Sequence, residues 1–156
     1  LPLPISTSTV ITPTGGELYS EIDHTGYEFA PGAFTATVQF THTVWLNLPP
    51  PPAGHVSIGG IGGMGRGFDA MTMLGPGGLP LQPVLPVTVT VDYSDVGHGA
   101  AISGTLCLWW MDVSGWVRLP SADDPLQEKL TSTVDHFSHF AIFGETNLVF
   151  LPVVRQ

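Results

Sequence analysis

Thr35-Ala-Thr-Val-Gln-Phe-Thr-His-Thr-Val-Trp-Leu-Asn-Leu48 is the stretch that decides the fold. Val38, Phe40, His42, Val44, Leu46 and Leu48 fall on one face, and Thr37, Gln39, Thr41, Thr43 and Asn47 on the other. That period of two is what a half-buried strand requires, because successive side chains point to opposite faces of a sheet. Residues 86–93 repeat the pattern, with Val87, Val89, Val91 and Tyr93 opposite Thr88, Thr90 and Asp92. Shorter strands are expected over residues 17–22, 68–74, 105–112, 116–119, 130–134 and 137–143. Turn signals separate them at Asp23-His-Thr-Gly26, Ser94-Asp-Val-Gly97 and Val113-Ser-Gly115.

No segment carries a sustained helical period. Residues 123–130 come nearest, but the run is short, contains Pro125 and leads into β-branched residues. With 19 Gly and 15 Pro punctuating the strands, the expected fold is all-β: a single antiparallel β-sandwich with Pro/Gly-rich loops and strand-like terminal extensions. The 156 residues divide into an N-terminal strand-like extension (1–14), a sandwich domain (15–145) and a C-terminal strand-like tail (146–156).

Charge narrows the partners. Four basic residues against 13 acidic ones give a net charge of −9, which repels phosphate backbones and argues against nucleic-acid binding. No apolar run approaches the ~20 residues of a membrane helix, so no membrane span is expected. The chain begins at Leu1 without a signal pattern, as a mature, processed product would. Few Lys and abundant Thr, Gly and Pro suit a secreted protein of the extracellular cell surface. The single cysteine, Cys107, sits in Thr105-Leu-Cys-Leu-Trp-Trp110 and reads as a buried, inert thiol.

Two stretches break the strand rhythm. Pro49–Pro52 reads as extended polyproline, and a glycine-rich loop follows over residues 59–67. Gly60-Ile-Gly-Gly-Met-Gly65 fits the dinucleotide fingerprint in letters only, since no helix follows and no acid lies about 20 residues on.

Three separated segments resemble the ZU-five domain, the β-sandwich shared by ankyrins, netrin receptors and the death-domain protein PIDD. They are Gly15-Gly16-Glu-Leu18 with Gly26-Tyr-Glu-Phe-Ala-Pro31-Gly32-Ala33-Phe34, then Leu74-Gly-Pro-Gly-Gly-Leu-Pro-Leu-Gln-Pro-Val84, then His136-Phe137-Ser138. The resemblance implies a sandwich that serves protein interaction, with no common substrate or cofactor. The insertion at 49–67 and the lack of a death domain depart from the animal pattern and imply a stand-alone bacterial relative. It also raises self-cleavage, in which Ser138 Oγ attacks the Phe137 carbonyl with His136 as general base. That chemistry further needs a strained peptide and a donor for the oxyanion. The plainer reading makes Phe137 a core residue.

Other site chemistry is thin. His136 and His139, three apart, would face opposite sides of a strand. His24, His42, His55 and His98 lack ligand spacing and read as partly exposed strand or turn histidines, so no metal is expected. Asp92 with Asp95, and Asp123-Asp124 with Glu128, leave calcium as a weak alternative to solvated turns. No Gly-x-Ser-x-Gly elbow is present, and no enzyme with an external substrate is expected. Trp109, Trp110 and Trp116 are candidates for a sugar-stacking platform. Adjacent tryptophans of a strand face opposite ways, so one of Trp109 and Trp110 requires a cover.

The termini are apolar and strand-like. Leu1, Leu3, Ile5 and Val10 at one end, and Leu148, Phe150 and Val153 at the other, are candidate assembly positions. They would pair with their own domain's edges or be donated to a neighbour, linking subunits into a homo-oligomer or filament. The expected function is therefore a non-enzymatic, self-assembling structural subunit. A monomeric adhesion module binding carbohydrate or protein, and a self-cleaving domain, are the alternatives.

Overall fold

The computed structural model describes residues 5–59, 65–74 and 78–146. Among them are twelve strands and no helix: β1 (Ser6–Ile11), β2 (Gly16–Ser20), β3 (Thr25–Phe29), β4 (Val38–Val44), β5 (His55–Ser57), β6 (Gly67–Met73), β7 (Val87–Asp92), β8 (Cys107–Asp112), β9 (Gly115–Arg118), β10 (Ser121–Asp124), β11 (Lys129–Val134) and β12 (His139–Glu145). The larger sheet runs β1-β4-β6-β12-β8-β9, and the smaller β10-β11-β7-β3-β2. β12 pairs with β6 through His139–Ala141 and with β5 through Phe143–Glu145, while β8 pairs with Phe140–Phe143. Every pairing is antiparallel, and the fold is the all-β sandwich that the alternation predicts.

The two deciding stretches become central strands. Val38, Phe40, His42 and Val44 of β4 are buried, as are Val87, Val89 and Val91 of β7 with Tyr93 beyond it. Between the sheets an aromatic cluster packs edge to face, with Phe40 ring-to-ring at 4.6 Å from Tyr27 and 4.9 Å from Phe29. Such tilted pairs place ring edges on ring faces and add to area burial. Leu18, Leu130, Leu108 and Ile142 complete this core.

The insertion after β4 has a structural task. Its Pro50 and His55 lie against the outer face of the larger sheet, where Leu48, just before it, packs on a second buried cluster of Cys107, Trp109, Ala141 and Phe143. Gly67 lets Leu48 approach: a Cβ there would meet Leu48 Cδ1 at 2.5 Å and the Phe140 carbonyl oxygen at 2.9 Å. Cys107 is buried and unpaired, as expected of an inert thiol.

Several boundaries differ from the sequence expectation. The turn expected over residues 23–26 gives way at Thr25 to β3, and β5 and β10 are additional short strands. The strand expected over 137–143 begins at His139, because Phe137 N–H and C=O bond a side chain instead of a ladder partner. The N-terminal extension contributes β1, which pairs residue by residue with β4 of the same chain. Leu1, Leu3, Leu148, Phe150 and Val153 lie outside the described residues, as does most of the glycine-rich loop.

Candidate functional site

The His136-Phe137-Ser138 corner lies in the bend between β11 and β12 rather than inside a strand. Phe137 is buried against Phe29, Phe34 and Phe40, so its side chain is core. Gln82 clamps its backbone: the Phe137 N–H donates to Gln82 Oε1 at 2.6 Å, and Gln82 Nε2 donates to the Phe137 carbonyl at 3.3 Å. A donor on that carbonyl is one requirement of self-cleavage. His136 Nδ1 bonds Asp135 Oδ1 at 2.8 Å, its ring stands edge-on to Trp110 at 4.5 Å, and no hydrogen bond among the described residues joins it to Ser138. Hydrogen bonding from His136 holds the Asp135 carboxyl below the usual range. Among the described residues, the non-glycine positions with left-handed backbone are His24 and Glu128, not this corner.

The tryptophans divide by face, as their parity predicts. Trp110 packs toward the inter-sheet core, whereas Trp109 and Trp116 belong to the outer cluster. The cover that Trp109 requires is the insertion: His55 stands edge-on at 4.9 Å, and Trp109 is 8% exposed. Trp116 donates its indole N–H to the Pro50 carbonyl at 3.0 Å and meets Phe143 edge-on at 5.0 Å. Trp45, which the sequence reading assigned to neither face, is held by its indole N–H on Asp69 and by ring contact with Trp116 at 6.2 Å.

His42 corrects the expectation of a partly exposed histidine, for it is fully buried. Its Nε2 bonds Asp23 Oδ2 at 2.9 Å and its Nδ1 bonds the Tyr27 hydroxyl at 2.6 Å. The chain of three groups ties the β2–β3 turn, β3 and β4 together across the sandwich. Burial pushes the Asp23 carboxyl up, yet hydrogen bonding and charge from His42, with Arg66 nearby, outweigh burial and hold it low. Burial, reinforced by Asp23 and Asp69, pushes the Tyr27 phenol well above its ordinary value. Buried polar groups of this kind fix a core geometry when each finds a partner.

Four of the five acids considered for calcium, all but Glu128, have local hydrogen bonds or ion pairs. Asp92 accepts from Ser94, Asp95 pairs with Arg66 at 2.8 Å, Asp123 accepts from Tyr93 and from Leu106 N–H, and Asp124 accepts from Leu126 and Gln127 N–H. Among the described residues no three His, Cys, Asp or Glu side chains converge as a metal-ion set. No helix among them is long and apolar enough to cross a membrane.

The edge of the larger sheet at β1 has a different character. β1 hydrogen-bonds β4 on one flank, supported by Ser6–Thr43 and Ser8–Thr41 hydroxyl pairs at 3.0 and 2.9 Å, and no described strand lies on its other flank. Its sequence, Ser-Thr-Ser-Thr-Val-Ile, contains neither charge nor proline. Of the other edge strands, β2 carries Glu17, β9 carries Arg118, and β10 carries Asp123 and Asp124, whereas β5 is uncharged but only three residues long. Edge charges and prolines are the usual guards against strand addition, so among the described residues β1 is the longest unguarded edge. No family model matches the chain, and no curated protein matches it significantly.

Proposed function

We propose that this chain is a non-enzymatic structural subunit of a secreted or cell-surface assembly, built by strand addition at β1. The unguarded flank of β1 carries the reading. An added strand gains main-chain hydrogen bonds there without burying a charge. The donor is the uncharged run 147–154, Asn-Leu-Val-Phe-Leu-Pro-Val-Val, of a neighbouring copy. Head-to-tail linkage of this kind is heterologous, closing into a ring or propagating as a filament.

Removing residues 147–156 tests the reading. The full chain is expected to sediment as oligomers or appear as filaments by electron microscopy, and the shortened chain as monomer. A full chain that is monomeric across the micromolar range refutes it.

The sandwich architecture and the residues resembling the ZU-five domain are in keeping with an interaction module. The Gln82 donor on the Phe137 carbonyl favours one further reading, self-cleavage at Phe137–Ser138. We place the clamp's role in packing, because His136 Nδ1 is taken by Asp135, its ring packs on Trp110, and no hydrogen bond among the described residues joins it to Ser138. Denaturing mass spectrometry is expected to give one intact chain; two fragments meeting at that bond would reverse the assignment.

A further inference from the structure

Beside the N-terminal end of β1, Ile5, Val44, Trp45, Leu46, Asn47 and Pro49 line a shallow, open groove of about 460 Å³. None of these residues is charged, and Leu46 is 48% exposed. The groove has fixed walls. The Ile5 carbonyl accepts from Val44 N–H at 2.8 Å, and Trp45 is oriented through Asp69 and by ring contact with His139 at 5.3 Å. Ile5 directly precedes β1 and bonds Val44, so the depression lies at the N-terminal end of β1, beside the end of β4.

We propose that this groove is the specificity pocket of the assembly contact, receiving an apolar side chain from segment 147–154 of a second copy while its backbone adds to β1. The inference rests on the assembly reading above and deepens it. Strand addition takes affinity from the main chain and selectivity from pockets that accept alternate side chains. Charge supports the same occupant. Each copy carries a net charge of −9, so close approach of two copies favours surfaces without ions. β1, the groove and residues 147–154 are all uncharged.

Geometry allows the donation. β4 and β12 both run antiparallel to β6, so they run the same way; Val44 and Phe140 both pair with Phe68, which puts Glu145 five residues further along in the direction in which β4 runs. The described chain therefore ends about 17 Å beyond the level of Val44, on the side toward which β4 runs. The ten residues after Thr146 reach at most about 35 Å when extended. That exceeds the roughly 20 Å length of the six-residue β1, so the tail is long enough to lie along that strand of an adjoining copy.

A complementation experiment on the full chain tests the pocket. Leu46→Asp places a charge in the groove at an exposed position, and Phe150→Asp places one in the tail. Both variants are expected to keep the wild-type circular dichroism and to associate at least about tenfold more weakly than wild type, since a carboxylate resists burial in an apolar pocket. Mixed in equal amounts, they are expected to form a dimer of one copy of each and nothing larger. The intact tail of the first would fill the intact groove of the second. If wild type associates and Leu46→Asp associates equally well, the pocket is refuted while the assembly reading stands. If wild type associates but the mixture stays monomeric, donation between copies into this groove is refuted. If wild type itself is monomeric, the assembly reading fails first.

Discussion

His42 holds an inward position of β4 between Phe40 and Val44, where a polar group without partners would cost several kcal/mol. The alternation of the strand makes that position legible from sequence. Its partners are not, because Asp23 lies 19 residues away in a turn and meets His42 only once the sheets pack. Breaking such a buried pair from one side leaves the other group uncompensated, so Asp23→Ala is expected to destabilise by about 3–5 kcal/mol in chemical denaturation. Asp23→Asn would retain part of the hydrogen bonding and lose less. Phe137 is also a core residue, and Phe137→Ala is expected to cost about 3–5 kcal/mol. Ser138→Ala, by contrast, should leave both stability and chain mass unchanged apart from the substituted oxygen. A variant at Phe137 that is as stable as wild type would contradict its place in the core.

Among the elements, the strands with clean alternation were readable, and those shaped by tertiary contacts were not. β4 and β7 follow the predicted faces, and the parity of Trp109 and Trp110 correctly calls for a cover on one side. The cover itself could not be read, since Leu48 and His55 reach Trp109 and its neighbours only through the folded insertion. β3 was hidden by its Thr-Gly start, which has the composition of a turn. The start of β12 was hidden by Gln82, whose side chain takes the place of a ladder partner. The insertion's contact depends on Gly67, where an added methyl would force Leu48 and the Phe140 carbonyl aside. Gly67→Ala is accordingly expected to cost about 1–3 kcal/mol and to make Cys107 react faster with a thiol reagent in the folded state. Unchanged thiol protection would separate the insertion from the cover of the outer cluster.

For the whole molecule, the titrating core sets limits at both ends of the pH scale. The Asp23 carboxyl is held lower in the folded chain than in the unfolded one. Its contribution is therefore present above the unfolded aspartate value of about 3.9 and is lost as pH falls through that value toward the folded one. Tyr27 is shifted upward, so the unfolded chain loses the phenolic proton first, and stability falls as pH rises above about 10. Thermal melts are expected to show both declines. Asp23→Asn should flatten the Asp23 part of the acid limb, and Tyr27→Phe should soften the alkaline one. Net charge argued against nucleic-acid partners, but only the strand order reveals that no described strand pairs with the outer flank of the uncharged β1.

Assembly through that flank is most directly tested by multi-angle light scattering of the full chain beside the chain shortened after Thr146, at matched concentrations. Donation of the tail to β1 predicts oligomers or filaments for the full chain and a single monomer for the shortened one. Two chains of equal, monomeric mass would contradict it, as would an assembly that survives removal of the tail unchanged.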